Sequence, residues 1–379
     1  MLKLPPLALY VHIPWCVRKC PYCDFNSHRA PDALPEASYV DALLRDLGNE
    51  RENAQGRQLV SIFFGGGTPS LFSDKAIGRI LDQAEKSLGF SPDIEITLEA
   101  NPGTVEQGRF QGYRAAGVNR LSIGIQSFND RHLRNLGRIH DSSAALNAAQ
   151  SARRAGFDNF NLDLMHGLPE QTPDEALADL ELAVQMAPAH LSWYQLTIEP
   201  NTEFHARPPT LPEEDILDTI QERGAEFLAG KGYRQYEVSA YAREGKASRH
   251  NLNYWQFGDY LGVGAGAHGK ITFPDSGEIV RCSKTRIPND YLAREEHHMA
   301  SRQVIGKEEL PLEFLMNALR LVEGVPEHFY RERTGLDPAA ISERWDELVR
   351  LGLLREPGPR LATTEKGLRF LNPVLGKFS

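Results

Sequence analysis

Along the first half of the 379-residue chain, short apolar runs alternate with stretches whose apolar residues fall at helical spacing. That alternation restricts the fold more than any other feature. The runs cover residues 7–13, 60–64, 94–99, 120–125, 160–164 and 191–196. Between them, one helical stretch joins Tyr39, Leu43, Leu44 and Leu47, another Ile77, Ile80, Leu81 and Leu88, and a third Leu177, Leu180, Val184 and Met186. Parallel strands need long return connections, most often helices, so the pattern predicts a parallel sheet. Six strand–helix units fall short of the eight that close a full barrel. The expected fold is therefore α/β, a partial (βα)6 barrel over residues 1–240.

After residue 240 the rhythm changes. Residues 258–269 are rich in glycine, and 270–273 with 278–282 read as a hairpin around Pro274-Asp275-Ser276-Gly277. A bridging β-rich segment is expected over 241–305. Helical patterns then cover 312–321, 327–333 and 339–351, followed by a two-strand wing at 353–355 and 360–362 and a helix from Glu365. Residues 306–379 thus read as a small helical, winged-helix-like domain.

Charge and hydropathy exclude several classes of partner. The 42 Lys and Arg stand against 51 Asp and Glu, a net charge of −9, which argues against a nucleic-acid coat. Even the winged-helix-like part carries little basic footprint, with seven basic and six acidic residues over 336–379. No run approaches the roughly 18 to 20 apolar residues that span a bilayer, so membrane contact is expected to be peripheral at most. Pro5 and Pro6 interrupt the apolar start before a signal-peptide core could form.

Three of the four cysteines, Cys16, Cys20 and Cys23, lie within eight residues, and Cys282 stands alone. Four cysteines are too few for an extracellular disulfide scaffold, and three clustered thiols cannot pair without a remainder. They read as ligands in a reducing cytosol, and the expected localisation is cytoplasmic. Three thiolates spaced C-x3-C-x2-C just after a strand can hold one cubic iron–sulfur cluster, leaving the fourth iron of a [4Fe–4S] cube open. Structural zinc needs a fourth ligand, which only His12 or His28 could supply nearby. Packing cysteines are the bland alternative.

This spacing at the end of the first strand resembles the radical S-adenosylmethionine superfamily, in which the cofactor's amine and carboxylate chelate the open iron. Gly65-Gly66-Gly67-Thr68-Pro69, right after the second strand, matches the superfamily's glycine-rich loop, where glycine lets backbone amides approach a small charged ligand. The later strand ends are polar as well: Glu99, Gln126, Asp163, Thr197 and Glu199. Functional groups of parallel barrels collect at those ends.

The resemblance narrows to the anaerobic coproporphyrinogen oxidase group, through residues 10–14, 65–69, 123–128, 137–138 and 163–169. It implies cofactor contacts for Tyr10, Gly66, Glu99 and Thr197. Tyr22, Gly67, Thr68, Gln126, Arg138 and Asp163 match residues around a second cofactor molecule in that group. Two departures bear on the activity. Phe25 stands where the oxidase pattern has a further cysteine, and Leu7 begins the first strand without the oxidase's N-terminal extension. What remains resembles the related branch assigned as haem chaperones, whose H-N-x-x-Y-W mark is present as His250-Asn251-Leu252-Asn253-Tyr254-Trp255. A neutral imidazole at His250 suits haem iron, and Tyr254, Trp255 and Phe257 offer flat apolar surface.

The resemblance implies a [4Fe–4S] cluster, S-adenosylmethionine and haem as cofactors. Acceptor haemoproteins, such as respiratory cytochromes, are the implied partners, with no nucleic acid. Two other readings stand beside it: a radical enzyme acting on a tetrapyrrole, and a zinc-stabilised interaction protein. Gly264-Ala265-Gly266-Ala267-His268-Gly269 fits the dinucleotide fingerprint G-x-G-x-x-G, but a strand rather than a helix is expected after it, which argues against a phosphate site.

Overall fold

The first strand, β1 (Leu7–Ile13), is buried at every position but Tyr10, as a strand covered on both faces requires. In the computed structural model, which describes residues 1–378 (the side chains of 104–107 excepted), it pairs in parallel with β2 (Leu59–Gly66). Parallel pairing continues through β3 (Phe90–Ala100), β4 (Arg120–Gln126), β5 (Phe160–His166) and β6 (His190–Gln195). The returns are α1 (Glu36–Asn49), α2 (Asp74–Leu88), α3 (Thr104–Ala115), α4 (Ser142–Arg154), α5 (Pro173–Gln185) and α6 (Glu214–Gly230). This is the expected partial (βα)6 barrel.

Local sequence explains the helix ends. The Ser73 hydroxyl accepts from the Ala76 amide at the start of α2, and Ala76, Ile77, Ile80, Leu81, Ala84 and Leu88 turn inward. Thr172 and Glu175 cap α5 reciprocally, with Pro173 in its first turn. Such caps contribute about 0.5–2 kcal/mol each.

The sheet stops neither at β6 nor at residue 240. Beyond β6 lie antiparallel β8 (Ala240–Ala242) and β7 (Arg234–Glu237). On the far side of β1, β9 (Asp259–Val263) joins in parallel, and β10 (His268–Phe273), β11 (Glu278–Lys284) and β12 (Met299–Val304) follow antiparallel. The twelve-stranded order is β12-β11-β10-β9-β1-β2-β3-β4-β5-β6-β8-β7. The segment 241–305, expected as a bridge, thus extends the barrel sheet. The physical reason is β9, buried at all five positions, whose backbone groups find partners beside β1 inside the sheet.

A second core gathers α8 (Leu310–Ala318), α9 (His328–Thr334) and α10 (Ala339–Arg350) around Phe314, Tyr330, Ile341 and Trp345. The expected wing is reduced. Leu354 and Thr363 form a single bridge, and residues 360–361 pair instead with 325–326. The Arg360 guanidinium draws that pairing together, donating to the Glu323 and Gly324 carbonyls at 2.6 Å each. Among the described residues no helix is long and apolar enough to cross a membrane.

Candidate functional site

The chain leaves β1 into the cysteine loop, whose base is a two-residue ladder between Trp15–Cys16 and His28–Arg29. Cys16, Cys20 and Cys23 are free and half-buried along it. Burial pushes the Cys16 thiol up, a Thr68 hydrogen bond opposes this, and nearby Cys23 and Cys20 add to the rise. Arg138 Nη1 lies 3.7 Å from Cys20 Sγ, and Ser27 Oγ 3.7 Å from Cys23 Sγ. Among the described residues no three His, Cys, Asp or Glu side chains converge as on a single metal ion. A cubane takes one thiolate on each of three separate irons, so three spaced thiols on one loop fit it. The zinc reading finds no fourth ligand in His12. Its Nδ1 lies 3.0 Å from the Tyr10 hydroxyl, and its Nε2 lies 2.9 Å from the Asn26 carbonyl.

The glycine loop presses directly on the cysteine loop. A Cβ on Gly67 would lie 2.6 Å from the Trp15 carbonyl oxygen. Gly66 adopts φ +117°, where a Cβ would meet the His12 ring at 2.6 Å. The Gly67 and Thr68 amides donate to the Ile13 and Trp15 carbonyls, both at 2.8 Å. Gly66 N–H donates to Glu99 Oε2 at 3.3 Å. Burial, followed by the charge of Asp163, raises the Glu99 carboxyl to about 8.

The remaining strand ends converge through polar bridges. Arg138 donates to Asn101 Oδ1 and to the Gly124 carbonyl, both at 2.7 Å, and Asn101 donates to Thr68 Oγ1 at 2.9 Å. Gln126, at φ +70°, accepts from the Tyr194 hydroxyl at 2.9 Å. Asp163 accepts from Ser122 and Asn161 at 3.0 and 2.7 Å, and burial raises its carboxyl. Burial also raises the Tyr22 phenol, against the neighbouring Arg138 charge. Thr197 is exposed, two residues past β6, and no described hydrogen bond ties it to this network.

Asn101, Ser122, Asn161 and Tyr194 were not foreseen. Ser122, Asn161 and Tyr194 are legible only in hindsight, as inward positions in the period-two pattern of β4, β5 and β6. Asn101 simply follows Glu99 in Leu98-Glu99-Ala100-Asn101-Pro102.

A cavity of about 680 Å³ opens beside this constellation, walled by Tyr10, Gly66 and Glu99 together with Phe25, Tyr254 and His268. Its size lies in the range of small-molecule sites. His250 is not on that wall. It sits in α7 (Arg249–Trp255), 3% exposed, with Nδ1 3.0 Å from Ser61 Oγ and its ring between Phe63 and Tyr254 at 4.9 and 5.0 Å. Its Nε2 has no partner, and burial, with the Arg120 charge, lowers the imidazole to about 3. The glycine run 264–269 leads into β10, so no helix follows it.

An open parallel (βα)6 sheet with three free cysteines after its first strand and a glycine loop after its second is the architecture of a radical S-adenosylmethionine protein. Residues 10–183 match the sequence model of the Radical SAM superfamily, and residues 305–370 match that of the HemN C-terminal domain. In structure the chain is similar to coproporphyrinogen III oxidase (HemN) from Escherichia coli, described as a radical SAM enzyme. The TM-score is 0.82 at 23% identity, over 99% of this chain and 90% of that one. In sequence it is 52% identical to the heme chaperone HemW of Haemophilus influenzae, over 100% of this chain and 99% of that protein. The heme chaperone HemW of Escherichia coli is likewise 52% identical over 100% and 99%. The mouse mitochondrial radical S-adenosyl methionine domain-containing protein 1 is 36% identical, over 97% of this chain and 86% of that protein. The chain belongs to the HemW family.

Proposed function

We propose that this protein is a cytoplasmic haem chaperone, which binds haem and hands it to acceptor haemoproteins from a radical S-adenosylmethionine scaffold. The observation that carries the reading is its likeness to haem chaperones from end to end, at 52% identity over the whole chain. Phe25 supports it: 61% exposed on the cavity rim, it stands where the oxidase pattern carries a further cysteine.

Cys16, Cys20 and Cys23 are the thiolates for a [4Fe–4S] cluster, and Arg138 offsets their charge by donating to the Cys20 sulfur. When bound, such a cluster supplies an open iron for the amine and carboxylate of S-adenosylmethionine. Glu99, with the Gly66 backbone, Tyr10 and Thr197, is suited to contact that cofactor. Tyr22, Gly67, Thr68, Gln126, Arg138 and Asp163 are suited to a second cofactor molecule. The His250–Trp255 helix contributes Tyr254 to the cavity wall, with His250 packed behind it.

Haem titration of anaerobically reconstituted protein, followed by transfer to candidate apo-cytochromes, tests the reading. Stoichiometric binding and transfer are expected. Decarboxylated product from coproporphyrinogen III and reduced, cluster-loaded protein, with no haem uptake, would replace the chaperone by a radical enzyme acting on a tetrapyrrole.

A further inference from the structure

The cavity wall on the β9–β11 side carries groups that neither the cluster nor S-adenosylmethionine accounts for: Tyr254, Tyr260, His268 and Arg286. Of His12, His250 and His268 at or near this cavity, His268 alone has an open ring among the described residues. His12 lines it, but both its ring nitrogens are engaged, with Tyr10 and Asn26. His250 has a spare Nε2, but its ring is packed between Phe63 and Tyr254 behind the wall. His268 is exposed on the wall itself, and its ring makes no hydrogen bond to a described residue.

The glycine run that imitates a dinucleotide fingerprint is what sets this histidine in place. Gly266 has φ +83°, and a Cβ there would lie 2.2 Å from Asn26 Nδ2. Asn26 Nδ2 instead donates to the Ala265 and Arg286 carbonyls, both at 2.9 Å. The cysteine loop is thereby clamped onto the segments flanking β10 and β11, and His268 opens β10 opposite Ser283. Tyr254 and Tyr260 stand beside it with ring centroids 4.2 Å apart. Of the two cationic side chains on the wall, Lys284 is held by Asp46 at 2.6 Å and Glu50 at 2.5 Å. Arg286 is exposed and gives only Nε, to Asn26 Oδ1 at 3.2 Å.

We propose that the iron of bound haem is ligated by His268, with Arg286 facing a propionate and Tyr254 and Tyr260 forming the flat wall. A macrocycle asks for these three things together: an open imidazole, planar apolar surface and a cation at one edge. Asp24 and Glu99 are the acidic members of the same lining, so the acidic edge of the ring is set towards Arg286. The proposal rests on the haem-carrying reading above and names its ligand.

The experiment is a ferric haem titration of the reconstituted full-length protein, followed by Soret absorption and electron paramagnetic resonance. The variants are His268→Ala, His268→Met, His250→Ala and Arg286→Glu. His268→Ala is expected to lose the imidazole signature and to weaken binding by about tenfold or more. Free imidazole should restore its spectrum, and His268→Met should bind with an altered ligand field. Arg286→Glu should weaken binding and keep the signature, as should His250→Ala. Because His268 is exposed, its variants keep the wild-type fold, checked by near-ultraviolet dichroism and iron content. An unchanged spectrum and affinity in His268→Ala overturns the assignment while leaving haem carriage intact. No haem uptake by the wild type removes both.

Discussion

Glu99 carries a proton into a site whose expected ligand is cationic. Burial and the Asp163 charge hold its carboxyl at about 8 against an ordinary 4.5, so at neutral pH the cofactor-free protein keeps it protonated. The folded chain then binds a proton that the unfolded chain has released. Glu99 therefore subtracts from stability progressively as pH rises from about 4.5 through about 8. In cluster-free protein, where no iron takes up the amino group, the ammonium of S-adenosylmethionine arriving beside it favours the carboxylate and expels that proton. Binding of S-adenosylmethionine to the cluster-free protein is thus expected to release close to one proton below pH 8, with affinity rising up to about tenfold per pH unit towards that value. Calorimetry in buffers of different ionisation enthalpy reads the release directly. Glu99→Gln should abolish both the release and the slope; a flat wild-type profile would take Glu99 out of the contact. The residue itself is legible in the chain, as the polar end of an apolar strand. Its protonation is not, because its burial and the Asp163 charge arise only once the strands are aligned, against the opposing Gly66 hydrogen bond.

The cysteine loop is an element with almost no regular structure, and one asparagine ties it to the segments flanking β10 and β11. Asn26 donates to the Ala265 and Arg286 carbonyls and accepts from His28 Nε2 and Arg286 Nε, at 2.9, 2.9, 3.2 and 3.2 Å. Asn26→Ala leaves those partners unpaired at a cost of about 1–3 kcal/mol. The loss falls on the loop rather than on the barrel core, which Asn26 does not enter. Faster amide exchange over residues 14–30 and quicker loss of iron in air are expected, with little change in the main unfolding transition. A drop in that transition with unchanged loop exchange would place Asn26 in the global fold instead. Local pattern reveals the six barrel strands, since each carries its own apolar run and each return its own helical spacing. It does not reveal that β9 returns beside β1. That pairing joins Leu7 to Asp259 across the chain, and nothing in either run names its neighbour. For the same reason the fingerprint-like glycines could be rejected as a phosphate loop, yet not recognised as the seat of Asn26.

At the scale of the whole molecule, the two cores meet at the helix that carries the His250 motif. Phe257, just past α7, belongs to the second core and packs against Phe314, with ring centroids 5.6 Å apart. Arg333 donates to the Gln256 carbonyl, and the Arg320 guanidinium lies 4.4 Å from the Trp255 ring. The C-terminal helices thus brace, from behind, the same helix that presents Tyr254 to the cavity. Phe314→Ala removes a fully buried ring that also contacts Tyr330 at 5.3 Å, a change that costs about 3–5 kcal/mol. Urea unfolding should show that loss as a shifted midpoint in one transition, because the second core packs on Ile279 of β11, a strand of the barrel sheet. Under conditions where the variant stays folded, its haem affinity should fall while the iron–sulfur content of reconstituted protein holds. The cysteine loop lies at the opposite end of β1 from Leu2, which packs on the second core, so the cluster is insulated from the change. Equal losses of haem affinity and cluster content would mean that the brace acts on the barrel as a whole and not on α7.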